Sequence, residues 1–232
     1  MPAVTASLAG IVASTPRSRL LTVALGGQPF PFAAGQAVMF GPHGSTDRKP
    51  YSIASSPGRV AETGQLELLI AVDGSDLSWA TPGAAVDVEG PLGTFAFPDA
   101  VEAARLFFVA GGTGIAPLRA MIDHALVRHP QLPLSLLYSA RRSDEFAFID
   151  ELRTHERNGK LELSQTVTRD DSTTWQGRRG RIDRTEFERM LPDPATTLCF
   201  VCGPPQMVVE TVVALSALAV PASAIRTEQW GK

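Results

Sequence analysis

A short motif in the first half of the chain, Lys49-Pro50-Tyr51-Ser52, combines a cation, an aromatic ring and a hydroxyl in consecutive residues. In a strand, alternation places Lys49 and Tyr51 on one face. This combination suits a flavin, with its phosphate at Lys49, its ring or ribityl chain at Tyr51, and ring atom N5 or O4 at Ser52. An ordinary edge strand with a mixed face is the alternative interpretation.

A second motif is the glycine turn Gly111–Pro117 (GGTGIAP), which follows the apolar run Arg105–Ala110. Glycines let the backbone turn sharply and approach a ligand, and the start of the following helix attracts a phosphate. Thr113 could add a hydroxyl donor. The run is neither the G-x-G-x-x-G fingerprint nor a Walker loop, because the Lys-Ser/Thr ending is missing. A plain strand–helix turn is the alternative.

A third motif, Cys202–Pro205 (CGPP), ends another apolar run, Thr197–Cys202. The carboxyl ends of parallel strands meet at one edge of a sheet, so this motif and the glycine turn are expected to face one pocket. Gly203 permits close approach of a ligand, and Cys202 is small and polarisable. A buried cysteine in a strand–helix turn is the alternative.

A polar group follows a further apolar strand, Leu134–Ala140. Ser139, Arg141 and Arg142 could hold an adenosine ribose or its 2′-phosphate, because a guanidinium donates two parallel hydrogen bonds to a phosphate. A solvated loop is the alternative for the arginines. The choice between NADH and NADPH is therefore open at this point.

The sequence pattern changes near Pro98, which predicts two domains, 1–98 and 99–232. A chain of 232 residues is long enough for two modest domains. Short β-rich runs divided by Gly and Pro predict an antiparallel β-barrel before Pro98. Apolar strands alternating with helices predict a parallel sheet of the α/β class after it.

The elements that we predict in the first domain are strands at Thr5–Ser14, Ser18–Leu25, Ala37–Phe40, Lys49–Ala54, Gln65–Val72 and Ala85–Glu89, turns at Gly26-Gly27 and Pro57-Gly58, and a short helix at Asp76–Ala80 with Asp76 as its N-cap. Those in the second domain are strands at Arg105–Ala110, Leu134–Ala140, Leu161–Val167, Thr197–Cys202 and Ala224–Trp230, and helices at Ile115–Arg128, Glu145–Arg157 (with Asp144 as N-cap), Arg184–Leu191 and Pro205–Ala217.

Composition excludes several classes of function. A net charge of −3 gives no sign of a nucleic-acid surface. The most apolar stretch, Val208–Val220, is interrupted by Glu210 and predicts a core-facing helix instead of a membrane span. Met1–Val12 has no basic segment ahead of its apolar residues, so no signal peptide is expected. We expect a cytoplasmic protein without membrane insertion.

The cysteines and histidines do not suggest a metal or redox centre. Cys199 and Cys202 have C-x-x-C spacing, but they lie inside an apolar strand and not at a helix start, so a redox dithiol is disfavoured. Two cysteines cannot supply the four ligands of a 2Fe–2S cluster. The histidines show no metal-binding spacing, and they are His43, His124, His129 and His155.

Taken in order, these motifs resemble those of the ferredoxin–NADP reductase family over essentially the whole chain. The family pattern of Arg-x-Tyr-Ser, G-P-x-G, G-G-[TS]-G-x-x-P and C-G-P-x-x-[ML] is matched at Lys49–Ser52, Gly90–Gly93, Gly111–Pro117 and Cys202–Met207. The resemblance implies a flavin-binding antiparallel barrel followed by a parallel nicotinamide-nucleotide domain. It also implies hydride transfer from NAD(P)H to flavin N5, then one-electron delivery to a protein acceptor.

The chain departs from the family pattern at two places. The family arginine is Lys49 here, a point charge without a bidentate fork, so neighbouring Arg48 is a further candidate for the phosphate. The family's second phosphate motif, Gly-x-x-Ser, is matched loosely at Gly74–Ser78. The resemblance implies FAD as cofactor, with FMN as the alternative, and NADH or NADPH as electron donor.

The C-terminal Glu228-Gln229-Trp230 resembles the Glu-x-aromatic ending of the family. The resemblance would stack Trp230 on the flavin and place Glu228 near Ser52 as a proton relay. Trp230 would then have to move before a nicotinamide could dock. A last strand with one partly buried Trp is the alternative.

Three functions agree with these features. The leading one is an NAD(P)H-dependent flavoprotein reductase that passes electrons to a separate ferredoxin or oxygenase, because the cysteines cannot hold an iron–sulfur cluster. The second is a flavin reductase that uses free flavin as a substrate; the weak phosphate motifs favour it and Trp230 opposes it. The third is a non-catalytic electron-transfer subunit of a larger complex.

These arguments define the predicted site. The residues expected to act in catalysis are Ser52, Cys202 and Glu228. Those expected to bind a cofactor are Lys49, Pro50, Tyr51, Ser52, Ile70, Val72, Ser78, Gly112, Thr113, Gly114, Pro117, Ser139, Arg141, Cys202, Gly203, Pro204, Met207 and Trp230, and no metal ligand is expected.

Overall fold

A computed structural model describes residues 3–230 and divides them into two compact units. The first unit contains the described residues up to Pro98 together with Ala116–Arg128, and the second contains Asp99–Ile115 and the described residues from His129 onward. The predicted domains, 1–98 and 99–232, also divide the chain at Pro98 but place Ala116–Arg128 in the second domain. That assignment stays a prediction, and its outermost positions, Met1, Pro2, Gly231 and Lys232, lie outside the described residues.

The first unit is built on an antiparallel six-stranded sheet, as the sequence predicted. Its strands are β1 (Ala3–Thr15), β2 (Ser18–Ala24), β3 (Ala37–Pro42), β4 (Lys49–Ser52), β5 (Gln65–Ala71) and β6 (Ala85–Leu92), in the order β4-β3-β6-β1-β2-β5. An antiparallel bridge links Ile53, the residue after β4, to Leu68 of β5. Beside it, the Ala54 N–H donates to the Glu67 carbonyl at 2.8 Å. These residues, 53–54 against 67–68, form the closing seam of the barrel.

The barrel core follows the period-two pattern of its strands. Alternate residues of β1 are buried from Val4 to Leu8, as expected for strands with one face on a core. Leu8, Leu21, Leu66 and Leu68 are all fully buried. Burial of such side chains stabilises the fold by about 1.5–3 kcal/mol each.

Helix α1 (Pro57–Thr63) was not predicted, since only a turn was assigned at Pro57-Gly58. The Ser56 hydroxyl caps it by accepting the Arg59 N–H, Pro57 takes the first helical position, and Gly64 ends it with φ +69°. The Ser-Pro start and the glycine stop are signals that the sequence contained. Strand β4 also ends at Ser52, earlier than the predicted Ala54.

The predicted helix at Asp76–Ala80 is wrong, because this segment contains only a turn at Ser78-Trp79 and no helix. The carboxylate of Asp76 accepts the Ser78 N–H at 2.9 Å. This local hydrogen bond gives the backbone an alternative to the helix. Asp76 therefore closes a turn of its own and is not an N-cap.

The second unit is a parallel six-stranded sheet with helices, which confirms the predicted α/β class. Its strands are β7 (Arg105–Gly111), β8 (Leu134–Ala140), β9 (Glu162–Val167), β10 (Arg178–Arg179), β11 (Thr197–Gly203) and β12 (Ile225–Gln229), in the order β10-β9-β8-β7-β11-β12. The longer helices that follow α1 are α2 (Ile115–Arg128), α3 (Ile149–Arg157), α4 (Arg184–Met190) and α5 (Pro205–Ala217). The side chains of β11 are buried along its whole length, as expected for a central parallel strand.

The helix predicted at Glu145–Arg157 begins later than expected. Ser143–Glu145 forms a 3-10 turn, Phe148 has φ +58°, and α3 starts at Ile149. The Phe146 ring instead packs edge-on against Tyr138, with 4.9 Å between ring centroids. Tertiary packing of one aromatic side chain therefore overrides the helical pattern, and Asp144 is not an N-cap of α3.

Among the described residues, no helix combines the length and apolar character that crossing a membrane requires.

Candidate functional site

The glycine turn joins a buried strand to a helix, as predicted. β7 ends at Gly111, Gly112–Gly114 forms one 3-10 turn, and α2 begins at Ile115. Gly112 has φ +54°, in the left-handed region that favours glycine. The first N–H groups of a helix have no intrahelical acceptor and lie at the positive end of its dipole. The turn therefore presents donors suited to a phosphate.

The glycines also allow the turn to pack directly on the Cys202 motif. A methyl group on Gly114 would lie 2.3 Å from the Cys202 carbonyl oxygen, and one on Gly111 would lie 2.6 Å from the Met207 sulfur. A methyl group on Gly203 would lie 2.5 Å from the Met207 methyl carbon. These distances are far below van der Waals contact, so larger residues fit only if the surroundings shift. The two motifs predicted to meet at one sheet edge do meet there.

Sequence reasoning missed the role of Tyr138, which makes a hydrogen bond to the glycine turn. Its hydroxyl donates to the Gly112 carbonyl at 3.1 Å and accepts the Ala147 N–H at 3.1 Å. The ring is fully buried, and burial raises the pKa of the phenol. The hydroxyl therefore stays protonated and keeps donating. The sequence did indicate such a role, because a tyrosine inside an apolar strand needs a hydrogen-bond partner for its hydroxyl.

Cys202 is a buried thiol beside a carboxylate. It is 1% exposed, and its Sγ donates to Glu228 Oε2 at 4.0 Å. Burial, and then the charge of Glu228, raises the pKa of Cys202 well above its ordinary value. Burial also raises the pKa of Cys199 to about 12. Both thiols are protonated at neutral pH, which argues against a redox dithiol.

The end of β12 lies next to the glycine turn. Parallel pairing sets Glu228 opposite Cys202, and the Trp230 N–H donates to the Gly203 carbonyl at 3.2 Å. A methyl group on Gly112 would lie 3.4 Å from the Trp230 ring, so this half-exposed ring lies over the turn. The stacking of Trp230 on a flavin stays a prediction.

Two exposed arginines stand at neighbouring strand ends. Arg141 follows β8 and Arg169 follows β9, and the Arg169 N–H donates to the Arg141 carbonyl at 2.8 Å. Within residues 3–230 neither guanidinium makes an ion pair, whereas Arg142 pairs with Asp144 at 3.4 Å. Ser139 is half-buried at the end of β8. Sequence reasoning missed Arg169, a cation two residues after the end of β9.

Asp170 holds the two strand ends in place. Its carboxylate accepts the N–H groups of Ser143 and Ser172 at 2.7 and 2.8 Å. The hydrogen bonds from Ser143 are the main reason that the pKa of Asp170 falls to about 2. Arg179 donates to the backbone carbonyls of Asp170, Ser172 and Trp175. The loop beside Arg169 is therefore fixed by its own hydrogen bonds.

In the first unit, the predicted flavin strand is the short edge strand β4. It pairs with β3 along its whole length. Lys49 and Pro50 are exposed, while Tyr51 and Ser52 are half-buried. Proline is tolerated at a sheet edge because it has no N–H to pair. The Tyr51 ring packs edge-on against Phe40, with 6.3 Å between centroids. The roles of Lys49, Tyr51 and Ser52 in binding a flavin stay predictions.

The two segments predicted to bind the flavin phosphates lie together. The Lys49 ammonium donates to the Gly74 carbonyl at 3.2 Å. Hydrogen bonds from Ser78, and then the charge of Lys49, lower the pKa of Asp76. The residues present therefore fit a flavin phosphate, although the Asp76 carboxylate offsets part of the Lys49 charge. Arg48, the further candidate, is paired with Glu89 at 3.4 Å.

The remaining predicted site residues differ in exposure. Ile70 packs in the hydrophobic core and is 1% exposed, and Val72 is half-buried just after β5. Among the other predicted residues, Pro117 is buried, and Thr113 and Met207 are half-buried. Ser78 and Pro204 are exposed. Their contacts with a cofactor stay predictions.

Comparison with known proteins places this geometry among reductases. The family described as "Oxidoreductase NAD-binding domain" matches residues 108–212. Oxidoreductase NAD-binding domain-containing protein 1 of Danio rerio is 30% identical over 97% of this chain and 91% of its own length. Ferredoxin–NADP reductase B of Sorangium cellulosum is 32% identical over 88% and 87%. The crystal structure of an Amycolatopsis cytochrome P450 reductase superposes with a TM-score of 0.85, at 25% identity, over 98% of this chain and 69% of that one.

Proposed function

Because the chain belongs to the ferredoxin–NADP reductase family, we propose that it oxidises NADPH and passes the electrons through FAD to a separate redox protein. It is an NAD(P)H-dependent, flavin-containing oxidoreductase. One observation carries the proposal: the glycine turn packs directly on the Cys202 motif. This packing gathers a phosphate site, a neutral thiol and a carboxylate at one edge of one sheet.

The residues of the chain bind and orient the reactants. When bound, a flavin would supply the hydride-accepting and electron-transferring chemistry. The N–H groups of the glycine turn would hold the pyrophosphate of the nucleotide at the start of α2. The uncharged Cys202 thiol would form a wall for the nicotinamide. The Ser52 hydroxyl would donate to the N5–O4 edge of the flavin. Glu228 would relay the proton that the reduced flavin takes up in addition to the hydride, and would take it back when the electrons leave.

Arg141 and Arg169 support NADPH as the donor. We expect Arg169→Ala to lower kcat/KM for NADPH by about 10–100-fold, because charge-assisted hydrogen bonds contribute roughly 1.5–3 kcal/mol. NADH, which has no 2′-phosphate, should be oxidised as before. Steady-state kinetics with both nucleotides measures the effect.

Arg142→Ala is the matched control for this substitution, since Arg142 already pairs with Asp144. An exposed pair contributes little, so NADPH kinetics should stay within about twofold of the wild type. An equal loss with NADH and NADPH in Arg169→Ala would contradict the proposed 2′-phosphate site.

Lys49→Ala is expected to weaken FAD binding by about tenfold, because a charge-assisted contact with the phosphate is lost. Flavin content after gel filtration and the dissociation constant from flavin fluorescence measure this. Lys160→Ala, at an exposed lysine in the second unit, is the control and should bind FAD normally. Unchanged flavin retention in Lys49→Ala would move the phosphate role to Arg48.

The Asp76 carboxylate beside Lys49 favours a second candidate function, a flavin reductase that exchanges its flavin. A neighbouring negative charge weakens the attraction between Lys49 and a phosphate. A flavin held in this way would leave the protein readily and act as a substrate. FMN would then serve as well as FAD.

The electron acceptor is proposed from the relatives. One is named for ferredoxin, and another, known from its crystal structure, is a cytochrome P450 reductase. Both names refer to a second redox protein, a ferredoxin in one and a cytochrome P450 in the other. We propose an acceptor of the same kind, an iron–sulfur protein or an oxygenase component.

The visible spectrum of the purified, desalted protein tests the function directly. Flavin absorbance that bleaches on anaerobic addition of NADPH, faster than with NADH, supports the flavoprotein reductase. A colourless protein that oxidises NADPH only after free flavin is added supports the flavin reductase. A colourless protein that stays inactive with added flavin overturns both and favours a subunit that requires its partner.

A further inference from the structure

Arg119 is a buried cation within the first unit. It lies in α2 and is only 3% exposed, although arginine is rarely buried unless it is paired. Its Nη1 donates to the Ala54 carbonyl at 3.0 Å and to Glu67 Oε2 at 2.6 Å. One guanidinium nitrogen therefore contacts two chain segments of the barrel at the same time.

The two segments that Arg119 contacts are the two sides of the closing seam. Ala54 and Glu67 already share a backbone hydrogen bond there. On the other side, the Ile53 N–H donates to the Gln36 carbonyl at 2.9 Å. Ser52, the last residue of β4, immediately precedes this segment. Arg119 thus fixes a carbonyl two residues beyond the hydroxyl proposed to contact the flavin.

Stability alone does not account for this buried guanidinium. Replacing a buried ion pair by apolar residues of similar volume is often neutral or stabilising. A second ion pair, Arg59 with Asp123 at 2.6 Å, also ties α2 to the barrel, and Arg59 is partly exposed. An apolar side chain in place of Arg119 could fill space but could not orient the fully buried Ala54 carbonyl.

We propose that Arg119 is a positioning residue for flavin reduction, which holds the Ser52 hydroxyl in place through the Ala54 carbonyl. The inference rests on the proposed function of Ser52. The connection between the two residues is short. The Arg119 guanidinium holds the Ala54 carbonyl, and only the Ile53 residue separates Ala54 from Ser52. Loss of the guanidinium frees the seam on the Ser52 side while the barrel core stays packed.

The test compares two variants that differ only in whether the Arg119 guanidinium is present. Glu67→Gln removes the charge of the partner and keeps the Arg119 contact with Ala54. The double variant Arg119→Met with Glu67→Gln removes that contact without leaving the half-buried Glu67 carboxylate unpaired. Arg59→Met breaks the ion pair between Arg59 and Asp123 and is the control.

Hydrogen exchange of the flavin-free protein gives the first readout. The amides of Ile53 and Ala54 should exchange about tenfold faster in the double variant than in Glu67→Gln, because local opening is easier. Arg59→Met should leave them unchanged. Equal exchange in all variants overturns the proposal.

Single-turnover reduction of the FAD-loaded protein by NADPH gives the second readout. The double variant should be slower than Glu67→Gln by about tenfold, since small misplacements of a positioned group are costly. In a Ser52→Ala background this difference should vanish, because Arg119 acts through Ser52. A difference that persists in that background shows a merely structural role and overturns the inference.

The experiment distinguishes a failure of the proposed role of Ser52 from a failure of the inference about Arg119. If Ser52→Ala alone reduces flavin at the wild-type rate, the proposed role of Ser52 fails and the inference with it. If Ser52→Ala is slow but the double variant matches Glu67→Gln, only the role of Arg119 fails.

Discussion

Ser52→Ala is expected to slow the reduction of bound flavin by NADPH by about 100-fold, the usual scale for losing one positioned hydrogen-bond donor. Ser52 is a half-buried residue at the end of an edge strand. Its removal opens no core cavity, so the melting temperature should fall by less than about 4 °C. Stopped-flow absorbance under anaerobic conditions measures the rate, and thermal unfolding measures stability.

Ser56→Ala is the matched control, with the same substitution four residues along the chain. Ser56 caps α1, and losing such a cap costs about 1 kcal/mol. This variant should therefore be less stable but reduce flavin at the normal rate. The opposite pattern in the two serines separates chemistry from folding. A normal reduction rate in Ser52→Ala would remove Ser52 from the mechanism.

The sequence predicted correctly those parts of the fold that depend on residues close together along the chain. Apolar runs gave the parallel strands, and the helix with Pro117 in its first turn has the predicted bounds, Ile115–Arg128. The meeting of the glycine turn with Cys202 followed from a general rule about parallel strands. These features depend on side-chain period and on where strands end.

The features that were missed depend on contacts between distant residues. Tyr138 reaches a carbonyl 26 positions away, and Arg119 reaches one 65 positions away. No pattern along the chain reports such pairings. The wrong helix at Asp76–Ala80 has a different cause, since the Asp76 carboxylate accepts the Ser78 N–H in a local turn, whereas it had been expected to cap a helix.

Gly114→Ala is expected to be strongly destabilising, by about 3 kcal/mol, because an added methyl group has no room. It would lie 2.3 Å from the Cys202 carbonyl oxygen, 2.6 Å from the Cys202 carbonyl carbon and 2.9 Å from the Gly203 nitrogen. All three are backbone atoms of the central strand β11 and its end, so no side-chain rotation relieves the clash. Thermal unfolding should show a decrease of roughly 6–12 °C in Tm.

Gly159→Ala is the control that isolates steric clash from backbone strain. Gly159 has φ +67° but nothing lies within 4 Å of an added methyl group. Its substitution should cost only about 1 kcal/mol, the penalty of a left-handed residue. Gly114→Ala should also weaken NADPH binding, because the displaced turn carries the phosphate donors, whereas Gly159→Ala should not. If both variants melt alike and bind NADPH alike, the glycine turn is a simple connection and its packing on Cys202 does not shape the nucleotide site.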